Sequence, residues 1–198
     1  MMNHDEELLQ AAKTGTVDDL KRCLGEGANV NVTGDNDETP LHVAIRYQSG
    51  NIATECCKTL LQAGADSLAW TTRGRTPLDY AARFQSDSAA IECCKMLLQT
   101  GADFYAKTNY NRWTLHIVLR WQSSNAAIEC CEMLLQNRSD IHIATKVLGE
   151  TPLHIALRYQ SGNAAIQCCK TLLEAGADIH TKTKTSVSRE CYYNQRQN

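Results

Sequence analysis

Glu38-Thr39-Pro40-Leu41-His42 returns as Arg75-Thr76-Pro77-Leu78-Asp79, then as Arg112-Trp113-Thr114-Leu115-His116, and again as Glu150-Thr151-Pro152-Leu153-His154. A second block keeps step with it: Leu60 to Asp66, Leu97 to Asp103, Leu134 to Asp140 and Leu172 to Asp178. Equivalent positions are separated by 37, 37 and 38 residues. A period in this range marks a solenoid, in which each unit buries its apolar face only against its neighbours. Such folds work by displaying surface, so the search turns from a catalytic cleft to a binding face.

The pattern inside one unit reads as two helices. Thr39 suits an N-cap, and Pro40 suits the first helical position, where its missing N–H would be unpaired anyway. Leu41, Ala44 and Ile45 make an apolar stripe at helical spacing, and this helix is predicted to end near Gln48. Ser49-Gly50 reads as a turn in which glycine supplies a positive φ. Asn51, with Ser88, Asn125 and Asn163 in its place elsewhere, is predicted to cap the second helix, whose stripe is Ile52, Cys56, Leu60 and Leu61.

These repeats resemble the ankyrin family. Thr-Pro-Leu-His, the late Leu-Leu pair and Gly-Ala-Asp carry the resemblance, which covers roughly residues 5 to 183 as five units. The first unit is weaker but in register, with Ala11-Ala12, Leu24 and Gly27-Ala28-Asn29-Val30-Asn31. The family unit is about 33 residues long, and the later units here carry about four more. The surplus lies between the helices, at Gln48 to Glu55 and its equivalents, and amounts to about one extra helical turn.

The resemblance implies an all-α solenoid of stacked helix-turn-helix units with projecting β-hairpin loops. The expected units are a capping repeat over 1–38, repeats over 39–75, 76–112, 113–150 and 151–183, and a polar tail over 184–198. Gly74 falls at the family's turn glycine, and Asp37 and Asn111 take that place elsewhere. Asn31 matches a position that is hydroxylated in some family members. Two units depart from the pattern: Asp79 replaces the motif histidine, and Trp113-Thr114 replaces Thr-Pro.

Composition narrows the function. The net charge of −2 does not recruit nucleic acid or acidic membranes in bulk. No apolar run reaches the ~18 residues of a membrane span, and Met1 to Glu7 is acidic rather than signal-like. Eight of the ten cysteines occur as adjacent pairs at apolar positions of the second helices. Stacked helices lie ~8–10 Å apart, whereas a disulfide needs Cα atoms within ~7 Å. The thiols therefore read as reduced core residues rather than disulfides or a zinc ladder, which implies a reducing, cytoplasmic compartment. Delivery into a host cell is compatible with the polar tail.

The chain holds no phosphate-binding glycine loop, no Gly-x-Ser-x-Gly elbow and no His-Glu-x-x-His. His42, His116 and His154 belong to the repeat motif, and nearly every polar residue has copies in register. A catalytic group tends to be singular, so the chain reads as non-enzymatic, with no cofactor and no metal. The expected partner is another protein, met by a monomer. A secreted effector of an intracellular microbe, a nucleic-acid or phosphoinositide binder and an inhibitory subunit of an enzyme are the alternatives.

In the ankyrin family partners contact the concave side, built from hairpin tips and the exposed residues of the first helices. Carried onto this chain, these positions are Arg46-Tyr47, Arg83-Phe84, Arg120-Trp121 and Arg158-Tyr159, with Arg73, Arg75, Tyr110, Arg112 and Trp113 at or beside the tips. Arginine and aromatic residues are enriched at interface hot spots, and a row of arginines suits carboxylates or phosphates. The competing reading is scaffold. An invariant arginine followed by an aromatic in every unit serves the stack as readily as a partner, and specificity then passes to the variable tips, near Trp70 and Tyr105.

Overall fold

The computed structural model describes residues 3–101, 114–122, 124–137 and 139–184. Ten α-helices occur in these residues, two per unit. The first of each pair are α1 (His4–Thr14), α3 (Pro40–Tyr47), α5 (Pro77–Phe84), α7 (Thr114–Trp121) and α9 (Pro152–Tyr159). The second are α2 (Val17–Gly25), α4 (Gly50–Gln62), α6 (Asp87–Gln99), α8 (Ser124–Gln136) and α10 (Gly162–Glu174). The odd-numbered helices pack on one another in chain order, as do the even-numbered ones, and each pair packs internally. The result is a two-layered stack. The second helix is 9 residues long in the first unit and 13 in the later ones, so the insertion lengthens it by about one turn.

Local chemistry explains where each helix starts. Thr39 caps α3 and forms a box with His42. The Thr39 amide lies 3.3 Å from His42 Nδ1, and an amide can only donate. Nδ1 is therefore the acceptor, and the ring proton on Nε2 is donated at 3.2 Å to the carbonyl of Arg75, the residue that leads into the next unit. Burial lowers the His42 pKa to about 4, so the ring is neutral at physiological pH. It is a tie between repeats.

Asp79 solves the same problem differently. Its carboxylate accepts from the Thr76 amide at 3.2 Å and from the Thr114 hydroxyl of the next unit at 2.8 Å. A carboxylate cannot donate to a carbonyl as the histidine does, so it needs a donor opposite. Proline has none, and threonine does. The two departures from Thr-Pro-Leu-His, at 79 and 114, are thus a matched pair.

The turn between the paired helices also differs from expectation. Gly50 and Gly162 have φ +54° and Asp87 has φ +47°, which confirms the left-handed turn residue. The helices begin at that residue, flanked by Ser49, Ser86 and Ser161, rather than being capped by Asn51 and its equivalents. The left-handed residue makes the bend, so Asn51 falls inside the first turn.

Gln48, Gln85, Gln122 and Gln160 close the first helices and do more than end them. Each Nε2 donates twice to carbonyls of the preceding unit: Gln122 to Ala82 (2.8 Å) and Gln85 (2.7 Å), Gln160 to Leu119 (2.7 Å) and Gln122 (2.8 Å). Gln48 and Gln85 repeat the pattern. The acceptors lie in the last turn, where helical carbonyls have no partner of their own. A buried glutamine spine therefore runs from unit to unit.

The loops between units are closed by short bridges, such as Thr71 N to Arg75 O (3.0 Å) and Thr145 N to Glu150 O (2.9 Å). Gly74 and Asp37 take positive φ as expected. The β-hairpins are present as turns: among the described residues no β-strand ladder forms. Neighbouring tips are tied instead, Thr72 N to Asn36 O and Lys184 N to Leu148 O, both at 2.9 Å. Asn31 joins units lower down, accepting from the Asp66 amide (2.7 Å) and donating to the Gly64 carbonyl (3.2 Å).

Leucine, isoleucine, alanine and cysteine fill the interior. Eight cysteines are buried, Cys169 is partly so, and all nine described thiols are free. Cys57 meets Cys93, Cys94 meets Cys130 and Cys131 meets Cys168 across repeats, and these contacts with burial push the Cys57, Cys94 and Cys131 thiols far up. Burial raises Cys56 to about 11. Cys56, Cys57, Cys94 and Cys131 are thus protonated core residues and poor nucleophiles. At the far end of the described stack Leu157 is 67% exposed, whereas its equivalents Ile45, Ala82 and Leu119 are fully buried.

Candidate protein-binding face

The four arginine–aromatic pairs come together as one interleaved column. Arg46 lies 5.0 Å from the Tyr47 ring and 5.6 Å from that of Phe84. Arg83 sits between Phe84 (5.2 Å) and Trp121 (4.9 Å), and Arg120 between Trp121 (5.3 Å) and Tyr159 (4.7 Å). Arg158 closes the column over Tyr159 at 5.6 Å. Lys13 opens it over Tyr47 at 5.0 Å. Lys13, Arg46, Arg83 and Arg120 thus each meet the ring of the next unit, and the four arginines meet their own as well. Such contacts contribute about 0.5–1 kcal/mol each at exposed sites.

The column holds the stack together and is exposed at the same time. Tyr47 is 46% exposed, Phe84 37%, Trp121 47% and Tyr159 38%. The scaffold contacts are therefore made by rings that remain partly exposed.

What lies beside the column changes along it. In the second unit Glu38 is only 6% exposed. It accepts from Arg46 at 2.6 Å and from the Tyr80 hydroxyl at 2.5 Å. Burial, then this bond, raises the Tyr80 pKa. In the last unit Glu150 clamps Arg158 in the same way, at 2.5 Å, and that bond raises the Arg158 pKa. At the corresponding position before the third unit stands Arg75, so the charge there is reversed. The pairing of Glu38 with Arg46 and Glu150 with Arg158, eight residues apart in both units, was a readable signal. Tyr80 and Lys13 had no such signal.

Hollows lie between the column and the loop tips. The one at α1 and α3 has a volume of about 410 Å³ and is bordered by Glu6, Asp35, Glu38, Lys13 and Arg46. The one at α3 and α5, about 160 Å³, is bordered by Arg46, Arg73, Arg75, Arg83, Glu38 and Phe84. The one at α7 and α9, about 180 Å³, is bordered by Arg120, Trp121, Ile117, Val147, Leu148 and Ile155. Arg73 is exposed at its tip and Arg75 half-buried at the base of the loop. Tyr105, Tyr110, Arg112 and Trp113 lie outside the described residues.

The ankyrin-repeat family profile matches residues 8–108 and again 107–183. The chain belongs to the ankyrin-repeat family. Ankyrin repeats serve, as a family, as protein-interaction modules and are generally non-catalytic. A Medicago truncatula protein described as "Protein VAPYRIN-LIKE" is 56% identical over 39 residues, which is 20% of this chain and 8% of that protein. The match therefore covers a small part of that relative's length.

Other chemistry on this ankyrin array is sparse. Among the described residues, one trio of side chains lies close enough to share a metal ion, His4, Glu7 and Glu26 at the surface. Its acids are engaged by Arg22, at 3.5 Å for Glu7 and 2.9 Å for Glu26. Among the same residues no helix is long and apolar enough to cross a membrane.

Proposed function

We propose that this chain is a non-catalytic adaptor that binds another protein along the groove between the cation–aromatic column and the loop tips. The observation that carries this reading is the column itself: four rings, each between a third and a half exposed, held in line by cations on one face of a rigid stack. Aromatic groups held in fixed geometry lose little entropy on binding. The ties between neighbouring tips, at Asn36–Thr72 and Leu148–Lys184, preorganise the groove wall. The buried, reduced thiols fit work in a reducing, cytoplasmic compartment.

The test is affinity capture from lysate by the wild type and by Arg73→Glu and Val147→Asp. Both residues are exposed at the tips and take no part in the column, so both variants should melt like the wild type. Loss of a stoichiometric protein partner with either variant supports the groove. Capture unchanged by both would overturn it.

A further inference from the structure

The hollow between α7 and α9 has a volume of about 180 Å³ and is walled mainly by Ile117, Trp121, Val147, Leu148 and Ile155. Ile117 and Ile155 are buried, whereas Val147 is 74% exposed. An apolar cavity of about 150 Å³ accommodates one benzene ring, and small-molecule sites begin at about 300 Å³. The size therefore suits one large apolar side chain, the kind of anchor that a partner seats in a pocket. With Trp121 in the wall, an aromatic ring gains an offset or edge-to-face contact as well.

The loop wall is fixed before any partner arrives. The Gly149 amide donates to the Thr145 carbonyl at 2.8 Å, and the Glu150 amide to the Thr145 hydroxyl at 3.0 Å. Lys184 adds two bonds, from its amide to the Leu148 carbonyl at 2.9 Å and from its ammonium to the Lys146 carbonyl at 2.6 Å. Val147 and Leu148 are held between these ties, so little ordering entropy opposes binding.

The charged groups of this hollow differ in their commitments. Its carboxylate, Glu150, is bound to Arg158 at 2.5 Å. Its guanidinium, Arg120, lies between the rings of Trp121 and Tyr159. Among the described residues no carboxylate pairs with Arg120. The sequence gives the reason: eight residues before Arg46 and Arg158 stand Glu38 and Glu150, but eight before Arg120 stands Arg112. A guanidinium held over a ring keeps N–H donors along its edge, in the fork that matches a carboxylate. Lys146, exposed on the loop, has the same sign. In an extended segment residues two apart share a face and lie about 7 Å from each other.

We propose that the hollow between α7 and α9 receives a phenylalanine side chain of an extended partner segment, and that an aspartate or glutamate two residues away in that segment pairs with Arg120. The proposal rests on the groove being the protein-binding face. It commits to an acidic, aromatic peptide, because an apolar hollow of one-ring size stands beside a guanidinium that lacks a carboxylate.

The test uses the full chain and synthetic peptides of about ten residues, with one phenylalanine and one glutamate set about one to four positions apart in a glycine–serine background. Fluorescence anisotropy should find the tightest binding at a separation of two. Alanine in place of the phenylalanine should weaken binding about tenfold or more. Glutamine in place of the glutamate should weaken it about three- to tenfold. The phenylalanine preference should vanish in Val147→Asp. Arg120 also serves the stack, so its variants are checked by circular dichroism and read by selectivity. Arg120→Gln should bind the glutamate and glutamine peptides alike, and Arg120→Glu should prefer a lysine in their place. A purely structural Arg120 would weaken all these peptides equally, which would overturn the pairing.

Equal binding of phenylalanine and alanine peptides by the wild type would also overturn the proposal. So would tighter binding of a peptide that ends in a free C-terminal phenylalanine and has no acidic side chain, or self-association of the chain that Val147→Asp abolishes. If partner capture is lost with Arg73→Glu or Val147→Asp while no phenylalanine or glutamate preference exists, this inference fails alone. If capture is insensitive to both variants, the groove reading fails with it.

Discussion

The Thr114 hydroxyl donates to the Asp79 carboxylate at 2.8 Å, across the boundary between the third and fourth units. Both residues are buried. The contact replaces the histidine-to-carbonyl tie that His42 makes to Arg75. Removing one member leaves a buried carboxylate short of a donor. Thr114→Val should therefore cost about 1–3 kcal/mol. In a double-mutant cycle with Asp79→Asn, urea unfolding should show a coupling of about 1 kcal/mol or more. Additive effects would mean that the two residues do not act together.

Asp79 also makes a pH prediction. Burial raises its pKa from 3.8 to about 6. The folded state then holds the proton more tightly than the unfolded state. Its contribution is fully present below about pH 4 and is lost as pH rises through 6. His42, lowered to about 4, acts in the opposite sense, losing stability as pH falls from 6.5 towards 4. Subtracting the stability of Asp79→Asn from that of the wild type removes the histidine contribution. That difference should shift in favour of the wild type by on the order of 2–3 kcal/mol between pH 7 and pH 4.

The glutamine spine predicts a cost out of proportion to the side chain's size. Gln122→Met keeps much of the volume but strips donors from the Ala82 and Gln85 carbonyls. Thermal or urea unfolding should show a loss of about 2 kcal/mol or more. Nothing in the sequence set this residue apart from an ordinary helix end. Its role appears only when the preceding unit's carbonyls are placed beneath it.

Leu119 and Leu157 occupy the same repeat position with opposite surroundings. Leu119 is fully buried, so Leu119→Ala should cost about 2–5 kcal/mol. Leu157 is exposed at the end of the described stack, so Leu157→Ala should change stability by about 0.5 kcal/mol or less. A large loss at Leu157 would mean that something covers that end in solution.

Most of the fold was legible because core positions repeat. Leu41, Ile45, Cys56 and Leu60 kept their spacing, and the threonine caps announced the first helices of the second, third and fifth units. The second-helix start was misplaced by a residue or two, because the left-handed Gly50 and Asp87 set the boundary and not the asparagine. The arginine–aromatic pairs were visible in the sequence, but their interleaving across units was not. A period shows which residues are equivalent and says nothing of whether a side chain reaches its own unit or the next. The charge reversal from Glu38 to Arg75 gained meaning only once Arg46, Arg73 and Arg83 were seen around the same hollow.

The proposed binding face consists of the column and the tips beside it. Hydroxyl-radical footprinting of the chain, alone and with its captured protein partner, tests this most directly. Trp121, Tyr159 and Val147 on the groove side should be protected, with Ile52 and Ile166 of the second helices unchanged. Protection of Ile52 and Ile166, with the column rings as reactive as in the free chain, would contradict it.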